Sequence, residues 1–139
     1  MSLKFEDNSA DVKRRLSESL IRFLYEAGGD LTSQIQQNSR VDTGQTKGSY
    51  KYKVNESDLT AIVGSNLENA IWEEFGTGEY ALKGNGRKGG WVYKDAKGKY
   101  HHTYGKSPNR PMHHAYTASK TALKRRLEEI IKSSMKYVI

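Results

Sequence analysis

The sequence predicts an α+β fold: long N-terminal and C-terminal helices packed on one face of a mid-chain, mainly antiparallel β-sheet, with a short helical turn inserted. Two observations define the helices. Apolar residues recur at spacings of three and four over residues 9–38 and again over 111–136. A third defines the sheet, because β-branched and aromatic residues over 50–105 fall in short runs separated by Gly, Asn and Asp. Strands grouped in mid-chain argue against alternating βαβ units, and no internal repeat is evident. The 139 residues amount to one domain, 1–139, with a single core.

In the first helix, Val12, Leu16, Leu20, Phe23, Leu24, Ala27, Leu31 and Ile35 form the apolar stripe, and Asp7, Asn8 or Ser9 can cap its start. Gly28-Gly29 interrupts the pattern at roughly 1 kcal/mol per glycine, so a kink or a break into two helices is expected there. Tyr50 to Val54 and Leu59 to Val63 flank the turn residues Asn55 to Asp58 and form one antiparallel hairpin. Trp91 to Lys94 and Tyr100 to Tyr104 flank a glycine-containing loop and form a second, each hairpin presenting one aromatic face. Between them, Leu67, Ala70, Ile71, Glu74 and Phe75 share the face of a short helix that Gly76 stops. Residues 80–90, rich in Gly, Lys and Asn, read as a mobile loop. The last helix carries Met112, Tyr116, Leu123, Leu127, Ile130, Ile131 and Met135 on one stripe, and Pro111, preceded by Asn109 and Arg110, suits its first turn.

Composition excludes some chemistry. With no cysteine, disulfides, thiolate nucleophiles and cysteine-ligated zinc are ruled out. No apolar run has the length to cross a bilayer, and no export signal is visible, so a soluble protein is expected. Hydrophobic residues are 35% and charged residues 28%, which predicts a thin core with long exposed segments. The formal charge of +7 favours approach to nucleic acid or an acidic surface, but the basic runs are scattered and read as solvated faces.

Several residue groups suggest catalysis or binding and have simpler readings. Asp42-Thr43-Gly44 has the form of the catalytic triplet of aspartic proteases, which ends an apolar strand and needs two carboxylates sharing a proton. Here it follows the polar run 36–40 at a helix end, so a capped turn with Gly44 is the simpler role. His101-His102 and His113-His114 point apart within each pair, which argues against a shared metal. Glu74, beside Ile71 and Phe75, is expected to be a partly buried carboxylate paired with an Arg or Lys or with backbone amides, for which Gly76-Thr77-Gly78 is a candidate source. The glycines of 84–90 open no helix and precede no Lys-Ser or Lys-Thr, so they do not form a phosphate loop, although a basic loop can touch phosphates.

Taken in order, Val41-Asp42-Thr43-Gly44, Gly48-Ser49-Tyr50, Val63-Gly64-Ser65-Asn66, Glu74-Phe75-Gly76-Thr77-Gly78 and Arg110-Pro111-Met112 resemble one family, the tail-component or head-to-tail joining proteins of long-tailed phages. The resemblance spans about residues 16–127, with Asn69-Ala70 where the family commonly has tyrosine-alanine and Met112 in place of its phenylalanine. It implies a structural assembly protein of a phage or prophage virion, located in the neck or tail and assembled in the host cytoplasm. It also implies a ring of identical copies, without a reaction or a cofactor. The implied partners are other copies of itself and connector or tail proteins, with transient contact to packaged DNA and none to membrane. Lys83, Arg87, Lys88, Trp91 and Tyr93 are the candidate partner-binding residues of a loop that folds on contact. A basic nucleic-acid-binding accessory protein is the second reading, and an enzyme using Asp42 the third.

Overall fold

The computed structural model describes residues 9–40 and 44–135. Helix α1 spans Ser9–Asn38, followed by a five-residue helix α2 at Gln45–Ser49. Strands β1 (Lys51–Asn55) and β2 (Thr60–Gly64) form the first hairpin, α3 (Glu68–Phe75) follows, and a single 3-10 turn covers Gly78–Tyr80. Strands β3 (Trp91–Lys94) and β4 (Tyr100–Thr103) form the second hairpin, and α4 spans Pro111–Met135. The α+β expectation holds, with both hairpins antiparallel and each its own two-stranded sheet.

Helix α1 does not break at Gly28-Gly29. It continues through both glycines, and Gly28 leaves room for β1: a Cβ there would lie 2.5 Å from Cδ2 of Tyr52. Tyr52 pairs with Val63 across the hairpin, and Val54 with Ala61, so these four share the sheet face turned to α1. The turn is held by Asn55, whose Oδ1 accepts from the amides of Ser57 and Asp58 at 3.0 and 3.2 Å. In the second hairpin, Asp95 Oδ1 accepts from the amides of Lys97 and Lys99 at 2.9 and 2.8 Å.

Helices α1 and α4 pack antiparallel. Asn38 Nδ2 donates to the carbonyl of Pro111, Ser119 Oγ donates to Gln34 Oε1 at 2.6 Å, and Arg126 binds Glu26 and Asp30. The inward stripe of α4 holds Met112, Ala115, Ser119, Leu123, Leu127, Ile130 and Ser134, whereas Tyr116, Ile131 and Met135, predicted to share it, are exposed one helical step away. The buried core is small: Phe23 and Ala27 on α1, and a cluster of Ile35, Tyr50, Ala70 and Ala115 with Val63 and Met112 packed against it. Asp7 and Asn8 as caps, Val41, Asp42 and Thr43 in the turn, and Lys136 at the predicted end of α4 lie outside the described residues.

Candidate functional site

Helix α3 is the centre of the site, and its inner face is polar. Ala70, Glu73 and Glu74, at i, i+3 and i+4, are buried, while Ile71, Trp72 and Phe75 are 58%, 43% and 38% exposed. The sequence expectation that Ile71 and Phe75 share the buried face with Glu74 is therefore corrected by a rotation of the helix. The cause is the set of partners that the rest of the chain brings to the two carboxylates.

Glu73 is 2% exposed. Its Oε1 accepts from Arg40 Nε at 3.1 Å and from the Arg40 amide at 3.3 Å, and its Oε2 pairs with Lys106 Nζ at 2.5 Å. Its carbonyl accepts from the amides of Asn109 and Arg110. Burial pushes the Glu73 carboxyl up, but hydrogen bonds from Lys106 and Arg40 together outweigh burial and hold it below its ordinary value. Arg40 also donates to the Ser107 carbonyl at 2.6 Å, and Asn109 Nδ2 donates to the Asn38 carbonyl at 2.7 Å. One side chain thus ties the end of α1 and the segment before α4 to α3.

Glu74 meets backbone amides, as expected, but not those of Gly76-Thr77-Gly78. Its oxygens accept from the amides of Met112 and His113 at 3.0 and 2.9 Å, which places a carboxylate on the first turn of α4. Pro111 is buried at the first helical position, where the lack of an amide proton costs nothing, and Arg110 before it adopts a left-handed φ of 55°. Gly76, at φ 74°, ends α3 with its amide on the Trp72 carbonyl. Thr77 exchanges two bonds with Lys106, its amide donating to the Lys106 carbonyl and its Oγ1 accepting from the Lys106 amide, both at 2.8 Å. Gly78 is buried where three backbone segments converge, and a Cβ would overlap Tyr104 and Gly105 on one side as a Cβ on Gly86 would overlap Gly78. Gly44, at φ 81°, opens α2.

The outer face of α3 is open. With residues 81–91 it walls a groove of about 550 Å³ lined by Ile71, Trp72, Phe75, Lys83, Arg87 and Trp91, among others. Lys83 Nζ sits 5.0 Å from the Phe75 ring centroid and the Arg87 guanidinium 5.7 Å from that of Trp91. Lys83, Arg87 and Trp91 thus come together against α3 rather than on a detached loop. Lys88 is exposed at the loop tip, and Tyr93 stacks on His101 at 5.3 Å. His101 Nε2 lies 2.7 Å from Asp95 Oδ2, His102 packs edge-on to Tyr104, and among the described residues no cluster of three metal-ligating side chains occurs. No helix of the described residues is long and apolar enough to cross a membrane.

Arg40 and Lys106, the partners of Glu73, are the site residues that the sequence did not single out. Each cation stands 33 positions from Glu73 (73 − 40 and 106 − 73), and no local spacing signals such a pairing.

A locked polar joint on one side of a short helix and an uncovered apolar face on the other define a small α+β domain suited to making contacts. The chain belongs to the family described as "Bacteriophage HK97-gp10, putative tail-component", whose model matches residues 4–76, more than half of its length. The match ends at Gly76 and so takes in α1, the first hairpin and α3. No curated protein and no solved structure matches the chain.

Proposed function

We propose that the chain is a structural assembly protein that completes the tail or joins it to the head, acting as a ring of identical copies at the neck. The observation that carries this reading is the outer face of α3. Ile71, Trp72 and Phe75 stay partly exposed beside Trp91, with Lys83 and Arg87 set over the aromatic rings. An apolar patch of this kind, rimmed by cations, is a surface for another protein. The role is architectural, since Glu73 and Glu74 are each spent on internal bonds. A ring requires two different patches per copy, and the α3 groove supplies one of them.

The test is a paired charge reversal, Lys83→Glu with Arg87→Glu. It leaves the Gly78 and Gly86 packing intact, unlike deletion of 83–90. The variant should fold normally while full capsids and tails accumulate unjoined in electron micrographs of infected lysates. Infectious particles at the normal yield would overturn the proposal.

A further inference from the structure

Resting on the reading that the open face of α3 is a contact surface of the virion, we propose that its occupant is residues 3–7 of a neighbouring copy of this chain. The groove sets two requirements. Its walls are aromatic, Trp72, Phe75 and Trp91, and its cations Lys83 and Arg87 lie over rings and form no ion pair among the described residues. An occupant that suits it carries apolar side chains next to carboxylates. Leu3-Lys4-Phe5-Glu6-Asp7 has both, two apolar side chains followed by two acids, with Lys4 the one opposing charge.

Reach decides which copy supplies it. Helix α1 has 30 residues, so Ser9 and Asn38 stand about 44 Å apart at 1.5 Å per residue. Arg40, just past the end of α1, and Trp72 line one cavity, which puts the groove at the far end of α1 from Ser9. Phe5 is four residues before Ser9, and even a fully extended chain covers only about 14 Å over that distance. A copy therefore cannot fill its own groove, whereas its neighbour can. The contact is head-to-tail, the heterologous kind that generates a ring when the rotation closes.

A fluorescently labelled peptide of residues 2–8, titrated into the full chain at concentrations where the chain is monomeric, tests this directly. Saturable binding is expected, weakened about tenfold or more by Phe5→Ala in the peptide or Arg87→Glu in the protein. A Glu6→Lys peptide should recover part of the loss on the Arg87→Glu protein. Absence of saturable binding, or binding indifferent to both substitutions, overturns the inference. In assembling particles, Phe5→Asp should block joining as the Lys83→Glu, Arg87→Glu variant does. Normal particles with Phe5→Asp but not with the charge reversal would overturn this occupant and leave the proposed function standing; normal particles with both would overturn both.

Discussion

The two sides of helix α3 invert the usual arrangement of a surface helix. Its carboxylates Glu73 and Glu74 point inward and its large apolar residues Ile71, Trp72 and Phe75 point outward. Inside, each carboxylate is compensated by cations or amides from distant parts of the chain, so charge is buried without being orphaned. Outside, apolar area is left in water that a reversed orientation would have buried. A helix selected for monomer stability alone would face the other way, so the comparison separates a side that fixes the fold from a side kept for a partner.

The largest effect of breaking that comparison falls on the inner side. Glu73→Ala removes the shared partner of Arg40 and Lys106, and because both cations are half-exposed and can rehydrate, the loss should be about 2–4 kcal/mol rather than the upper limit for a fully buried pair. Urea denaturation should show it as a lower midpoint at unchanged slope. The same residue predicts a pH dependence. Its folded carboxyl is held below the ordinary 4.5, so as acid is added the unfolded chain takes up the proton first. The stability it contributes is complete above that value and is lost as pH falls through the folded one. Acid titration of Glu73→Gln should therefore give a shallower decline below about pH 4.5 than the unsubstituted chain.

A smaller effect is expected where α1 meets the first hairpin. Gly28→Ala improves helix propensity by about 1 kcal/mol yet drives a methyl group to 2.5 Å from the Tyr52 ring, and the overpacking should win by about 1–2 kcal/mol. In a Tyr52→Ala background the obstruction is gone, so the same substitution should become stabilising. Thermal melts of the four proteins of this cycle decide the point, and a Gly28→Ala cost that persists without Tyr52 would show that something other than Tyr52 requires glycine there.

The Gly28 case also shows how much was legible in sequence. Periodicity placed α1, α4, both hairpins and the stop at Gly76, because each depends on neighbours within one turn or one hairpin. It expected a break at Gly28-Gly29, since propensity records what a glycine costs a helix and not what packs against it from 24 positions away. The rotation of α3 was hidden for the same reason: the run Ile71-Trp72-Glu73-Glu74-Phe75 accommodates either face, and the choice is made by Arg40, Lys106 and the first amides of α4. Glu74 was recognisable as a carboxylate that would find amides, but their source was not. Gly76, Thr77, Gly78, Arg110 and Pro111, up to 35 positions apart in sequence, lie around one joint, a closeness no local spacing signals.

The outer side should give the smallest effect on stability and so the sharpest test of the division. Ile71→Asp places a charge where a 58% exposed side chain now stands, outside the buried set Ala70, Glu73 and Glu74. Its change in unfolding free energy should stay within about 0.5 kcal/mol, the range for surface positions, and polar replacement of exposed apolar area can even raise solubility. Particle assembly should nonetheless fail, because an aspartate desolvated against Trp72, Phe75 and Trp91 under a partner costs more than one left in water. If Ile71→Asp instead unfolded the chain as severely as Glu73→Ala, the outer face would be part of the core, and the two sides of α3 would have no separate roles.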